Sequence, residues 1–506
     1  MYWSYDNSYI PNPRLSTMTE RTRKQARLKR PERLKRLRRQ AVEVDFEGGT
    51  LTSDGGLLLL REIDRKLDLI RRIDDAIPDP RDPLYTSHPQ AEILTSRIFG
   101  IAAGYEDGND HDTLRHDPAF QVAAGRTPAE NDYDNDEHSP LASPSTHSRF
   151  ENRIDSKSLF KMHDILVDTF LDSFDEPPEE IILDYDATDD LIHGKQEGRH
   201  FNGFYDGYCY LPLYVFCGDQ LLVSYLRPSS VGAAHHARPV TKLLVQKIRA
   251  RWPSVKIILR GDSGFAIERL MRWCDKNDVG YVFGLQKNDV LIREITCEMT
   301  RARILQSHLG GKQACFKWFR YRTTKTWDRH RWVVGKAEYT DKGANPRFVV
   351  TNLPSEEGIV DPTYHRPRVD GKQVQQLKDP GTICSVARHP EEFYRTMYCM
   401  RGEMENKIKE QQLFLFADRT SCTDFMANQF RLLLSSFAYV LMDGIRRIGL
   451  AGTKHARMRV DTIRLKLFKI AARVRVTCRC VIFHLASHCP SADLFEHVLA
   501  QLCRSG

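Results

Sequence analysis

The chain lacks any Cys-x-x-Cys pair. Its 12 cysteines are scattered over 506 residues, and Cys478 and Cys480 flank a single arginine. That spacing chelates poorly, so neither a zinc site nor a disulfide framework is expected, and reduced thiols are the default. Long apolar runs are missing too. The longest, Leu432–Met442, is too short and too polar to span a bilayer, and no signal peptide is read at the start. A cytoplasmic protein without a membrane partner is expected, nucleoid-associated when bound to DNA. Charge of one sign is not in large excess: 75 Lys and Arg against 67 Asp and Glu leave a net +8. That is too little to demand an acidic partner, so the distribution of charge has to carry the argument. What remains is an ordinary profile, 41% hydrophobic and 28% charged, long enough for two or three domains and a large core.

One stretch stands out from that background, Glu179–Asp190 (EEIILDYDATDD). Ile181, Ile182 and Leu183 form the short apolar run of a buried strand. It leads directly into Asp184, Asp186, Asp189 and Asp190. Side chains alternate along a strand, so Asp184 and Asp186 share a face and Tyr185 takes the other. Carboxylates ending a buried strand are costly unless a cation or a proton compensates them. A solvated loop after a strand is the plain alternative. A second strand of the same design, Val255–Asp262 (VKIILRGD), favours the first reading.

The N-terminus turns basic from Arg21 to Arg39 (RTRKQARLKRPERLKRLRR). Self-repulsion and Pro31 predict a flexible arm over residues 1–44, either gripping a phosphate backbone or serving as a non-essential extension. Residues 45–175 read as a helical region that could face DNA. SDGGLLLLREIDRKLDLIRRID opens with a capping Ser53 or Asp54, and Ala91–Tyr105 is a second apolar-faced helix. Asp110, His111, Asp112, His116 and Asp117 are metal-ligand types, but helix-capping aspartates account for most of them. Ala129–Ser143 reads as loop. Ser148 to Glu151 forms a capping box for a helix continuing through Leu171.

Next come the strands Tyr208–Cys217 and Gln220–Leu226, joined by Gly218-Asp219 as a two-residue hairpin turn. A helix fits Pro239–Arg251, then the strand Val255–Asp262, a helix over Ile267–Lys276 and the strand Gly280–Leu285. This order predicts a mixed α/β sheet with flanking helices, the order of the ribonuclease H-like fold. In such sheets functional groups gather at the carboxyl ends of neighbouring strands, where Asp186 and Asp262 both stand. From Gln286 to Glu391 the helix pattern lapses. Phe316–Tyr321, Trp332–Tyr339 and Arg347–Asn352 read as strands, and Pro354–Pro390 as loop. Helix returns at Glu391–Leu415, where Tyr398, Arg401, Glu405 and Lys409 share a face. Asn428–Arg447 is a strongly apolar helix. Thr462–Arg479 is a basic amphipathic element, suited to nucleic acid or to a solvated helix face.

Carboxylates from two strands and a later helix can converge on a pair of divalent cations. Magnesium takes oxygen ligands and keeps waters. Two ions can activate an attacking oxygen and stabilise a leaving one in phosphoryl displacement, which makes a nucleic-acid phosphodiester the natural substrate. In its motifs the chain resembles the DDE transposases of bacterial insertion sequences, most closely insertion-sequence family thirteen-eighty. The segments FEGGTLTSDGGLLLLRE, GYEDGNDHDTLRHDP, LDYDATDD, YCYLPLYVFCGD, LRGDSGF, YCMRGEMENKIKEQQLFLFADRTS and TIRLKLFKIAARVRV carry the resemblance, from about Asp45 to the C-terminus.

The resemblance implies a ribonuclease H-like catalytic domain (176–285 and 391–506, with a helical C-terminal part), a β-rich insertion (286–390) and an all-helical N-terminal domain. It implies Asp186, in an Asp-x-Thr pattern with Thr188, Asp262 and Glu405 as catalytic metal ligands for two Mg²⁺ ions, with Mn²⁺ as a substitute. Asp184 rivals Asp186, and Glu403 rivals Glu405. The acids stand 76 (262 − 186) and 143 (405 − 262) residues apart, and the longer gap holds the strand-rich segment. The wider group's Tyr-x2-Arg-x3-Glu-x6-Lys signature falls on Tyr398, Arg401 and Glu405, but Gln412 occupies the lysine position. Lys409, one turn after Glu405, is then expected to take the phosphate contact. Trp327, with Trp332 beside it, lies in the region where relatives stack a flipped base. The implied protein is a transposase that cuts one DNA strand at the inverted-repeat ends of its element. The freed 3′-hydroxyl is then joined to target DNA, with a homodimer in the synaptic complex on double-stranded DNA. A non-transposing nuclease on the same fold and a catalytically silent DNA-binding protein are the alternatives.

Overall fold

The computed structural model describes residues 32–45, 47–128, 140–353 and 389–504. The first 31 residues of the expected arm lie outside these, as do most of the two loops expected over Ala129–Ser143 and Pro354–Pro390. At the centre is a nine-stranded mixed sheet. Eight of its strands are numbered here in chain order: β1 (Glu180–Ala187), β2 (Leu213–Cys217), β3 (Gln220–Tyr225), β4 (Lys256–Gly261), β5 (Gly280–Leu285), β6 (Gln313–Tyr321), β7 (Arg331–Thr340) and β8 (Arg347–Thr351). They are hydrogen-bonded in the order β6-β7-β8-β5-β4-β1-β2-β3, and Gly343–Ala344 pairs with β7.

The three middle strands are parallel, β4 lying between β1 and β5; the others pair antiparallel. Parallel strands need long crossovers, and the helix Ala237–Arg251 leads into β4 while Glu268–Lys276 links β4 to β5. Helices covering the sheet bury β4 throughout after Lys256, which is why it reads as an unbroken apolar run. Between β2 and β3, Gly218 takes φ 57° in a two-residue turn that sets Cys217 opposite Gln220.

The region 286–390 does contribute strands, and they extend this same sheet through β8 on β5. It also holds two helices, Asp289–Glu294 and Thr296–Leu309, where the sequence shows no helical pattern. The second buries only Ala302 and leaves Ile304 and Leu309 exposed, so it carries no apolar stripe to read. Other boundaries shift for local reasons. The first long helix breaks at Asp68, whose φ of 52° separates Leu57–Leu67 from Leu69–Ala76. The helix expected from Ser148 to Leu171 is two, Pro144–Glu151 and Ser156–Leu171, the second capped by Asp155. Tyr208–Cys217 splits into Gly207–Tyr210 and β2 around Pro212, which has no N–H to donate. Thr462–Arg479 is helical only to Phe468. Its alternating ARVRV, Ala472–Val476, is a strand between Val481–Leu485 and Leu51–Thr52. The described end of the basic arm is a hairpin, Glu32–Leu37 with Gln40–Val44.

The N-terminal helices share one apolar core with the C-terminal ones. Leu60, Leu94 and Phe99 belong to the same cluster as Phe437, Leu441 and Leu467. Phe425–Gly444 is buried on nearly every side because it fills the space between the N-terminal helices and β3. Among the described residues no helix is long and apolar enough to cross a membrane, and the cysteines are free.

Candidate active site

Asp184 and Asp186 leave the same face of β1 but meet different surroundings. Parallel register sets Asp184 opposite Arg260 on β4, and the guanidinium forks onto it: Nε to Oδ1 at 2.5 Å and Nη2 to Oδ2 at 2.7 Å. Arg260 Nη1 donates to the carbonyl of Met397 at 2.9 Å. A carboxylate held by such a fork is neutralised and fully engaged. Two residues on, Asp186 faces the end of the sheet beside Asp262.

Asp262 follows β4 directly. Its Oδ1 accepts from the Gly264 amide at 2.9 Å, capping the short turn Ser263–Phe265 and fixing the carboxyl group. Gly284 on β5 lies against it. A Cβ there would come within 2.6 Å of the Tyr398 hydroxyl and 2.9 Å of the Ser263 amide, so the absence of a side chain lets Tyr398 reach this corner. The third acid arrives from the helix Gly402–Leu415, entered through a π-turn, Tyr394–Tyr398, and a tight turn, Cys399–Arg401. Arg401 Nη2 donates to Glu405 Oε1 at 2.9 Å, and its Nη1 stands 3.9 Å from Asp186 Oδ1. The helix is tied down beyond this point by Gln412, whose Nε2 donates to the Asp189 carbonyl at 3.0 Å.

The charges influence one another. Burial pushes the Asp186 carboxyl up to about 6; Arg401 opposes this, while Asp262 and Glu405 add to it. Burial disfavours the Arg401 charge, but Asp186, Tyr398, Glu405 and Asp262 outweigh it and raise its pKa. Asp186, Asp262 and Glu405 supply hard oxygen donors, the set a small divalent cation takes. Their mutual repulsion, felt in the raised Asp186 pKa, is what such a cation would relieve. Here Arg401 supplies the positive charge. Among the described residues no three His, Cys, Asp or Glu side chains are drawn together closely enough to form a metal cage.

Tyr398, Arg401 and Glu405 therefore meet the two strand-end aspartates, as expected. Lys409 is exposed on the same helix, and Glu403 is exposed as well. The expected stacking role of Trp327 is corrected. The ring is only 8% exposed, belongs to the core on one face of the sheet, and packs edge-on against Tyr321 at 5.4 Å. Trp332 is half-buried between Trp318 and Arg320. In the Asp107–Pro118 segment, Asp110 closes a capping box with Asp107, and Asp117 caps Pro118–Ala123. His111 stacks on His147 with ring centroids 4.0 Å apart, and burial pushes it down to about 3, so the pair is neutral packing. Arg260 and Gly284 went unread in the sequence. A lone arginine or glycine in a strand signals nothing until the register is known.

With this geometry in view, the comparisons agree. The family described as Transposase DDE domain group 1 matches residues 34–379 and 371–506, and the chain belongs to it. No curated protein matches. One similar solved structure is the cryo-EM structure of the piggyBac transposase synaptic complex with hairpin DNA. It has 11% identity and a TM-score of 0.39, covering 82% of this chain and 79% of that one.

Proposed function

We propose that the chain is a metal-dependent transposase that cleaves and rejoins DNA at the inverted-repeat ends of an insertion sequence, with Asp186, Asp262 and Glu405 as its catalytic carboxylates. The observation that carries this is Asp186 beside Asp262, with Arg401 held between Asp186 and Glu405. The strand order β3-β2-β1-β4-β5 supports a ribonuclease H-like assignment, and Asp186 and Asp262 fall where ligands collect in open sheets.

Asp186, Asp262 and Glu405 would hold Mg²⁺, or Mn²⁺ in its place, as two ions. When bound, these ions supply charge stabilisation for an in-line phosphoryl displacement. The protein's own contribution is placement. Asp262 is fixed by its turn, and Glu405 by a helix anchored through Gln412. Arg401, displaced from the carboxylates, offers a forked donor to a phosphate, and the exposed Lys409 adds a second contact one turn away. Water opens one phosphodiester to leave a 3′-hydroxyl, which then attacks a second phosphodiester. The N-terminal helices, residues 45–175, hold the double-stranded DNA, and two copies pair the element's ends. The protein acts in the cytoplasm, on nucleoid DNA.

A plasmid carrying this reading frame with its natural flanks, incubated with protein and Mg²⁺, tests the reading. Joined products should form between element ends and target DNA. Cleavage without joining would replace the transposase reading with that of a nuclease on the same scaffold, and binding without cleavage with that of a silent DNA-binding protein.

A further inference from the structure

Past the end of β1 the chain builds a small separate sheet: Asp190–Leu191, then Gly207–Tyr210, then His200–Asn202. Asp190 stands three residues beyond Ala187, so this hairpin projects from the carboxyl end of the strand that carries Asp186. Its base is anchored: Asn202 Nδ2 donates to the Ser229 carbonyl at 3.1 Å, and Ser229 Oγ donates to the His200 carbonyl at 2.8 Å. Its tip is not packed. Phe204 is 87% exposed, an unusual position for a phenylalanine, and its ring meets only Tyr205 edge-on at 4.9 Å. One face of the hairpin continues the surface with the cross-strand pair Phe201 and Tyr208, both about half exposed, and Arg199 lies over Tyr208 at 4.9 Å.

We propose that this hairpin is a nucleobase platform, on which Phe204 stacks against an unpaired base of the DNA strand engaged at Asp186 and Asp262. This rests on the transposase reading above. Exposed aromatic rings interleaved with a guanidinium are what single-stranded nucleic acid binds, because every base has a π-face. A lone projecting ring offers too little area for a protein partner but suffices for one base. The distance to the acids is short: after burial, the charges of Asp189, Asp186 and Asp262 help push the Tyr205 phenol up to about 12. Trp327, buried, leaves the stacking role open for a residue that is presented to solvent.

The test uses the full-length protein and a fluorescent single-stranded oligothymidylate carrying one 2-aminopurine, whose emission falls when it stacks on a ring. Phe204→Leu keeps an apolar side chain without a π-face and should weaken binding about fivefold or more, with loss of the quench; Phe204→Trp should restore both. A Phe204→Leu protein that binds and quenches like wild type overturns the platform. If that same preparation still nicks plasmid DNA, only the platform falls. If wild type neither binds nor nicks DNA, the transposase reading falls with it.

Discussion

Arg260 joins Asp184 across two parallel strands and, through its third nitrogen, holds the Met397 carbonyl of the π-turn that leads to Glu405. One buried guanidinium thus fixes β1, β4 and the third element of the site relative to one another. Both partners are nearly inaccessible, at 4% for Asp184 and 7% for Arg260. Replacing one partner leaves the other charge buried and unpaired. Arg260→Ala should therefore cost about 3–5 kcal/mol in urea unfolding. A loss below about 1 kcal/mol would mean that the pair does not hold the strands together.

The two rival assignments separate by metal response. Added Mg²⁺ binds only the folded state and should raise the melting temperature of the wild type, and a chelator should reverse it. Asp186→Asn and Asp262→Asn should lose this increment. Glu403→Gln should keep it, because Glu403 faces solvent. An increment that survives in Asp186→Asn would place the ions elsewhere.

Asp186 also predicts a pH dependence. Its folded-state pKa, about 6, lies above its ordinary value of 3.8. Between those values the folded chain keeps a proton that the unfolded chain releases, so this group's contribution falls as pH rises through the window. Above it the charged form costs up to about 3 kcal/mol. In chelator at pH 7.5, Asp186→Asn should therefore be more stable than wild type, and the difference should vanish below about pH 4. Equal stability at both pH values would show that the carboxylate is not strained.

Gly284→Ala should damage the site from the neighbouring strand. The added methyl meets the Tyr398 hydroxyl and the backbone of Ser263, and backbone cannot step aside cheaply. A destabilisation of about 1–3 kcal/mol is expected by thermal unfolding, with loss of nicking activity. A fully active, fully stable variant would show that Tyr398 does not need this close approach.

Much of the sheet was legible in the sequence because its central strands are unbroken apolar runs ending in aspartate. Gly280–Leu285 matches residue for residue. The hairpin of β2 and β3 was legible for a different reason, its Gly218-Asp219 turn. What stayed hidden depends on partners far along the chain. Asp184 and Asp186 have the same periodicity, and only the register with Arg260 tells them apart. Trp327 looks like an available ring until β6 and β7 close over it. Thr296–Leu309 has no apolar stripe, so the element cannot announce itself. Phe204 reads as an ordinary loop aromatic, and its exposure is a property of the fold alone.

Nicking of supercoiled plasmid DNA bearing the reading frame and its flanks tests the central claim most directly. Wild type should nick in Mg²⁺ and not in chelator. Alanine at Asp186, Asp262 or Glu405 should each abolish nicking while leaving DNA binding, measured in parallel, within about twofold. If any one of the three variants nicks at the wild-type rate, those carboxylates do not form a single catalytic centre.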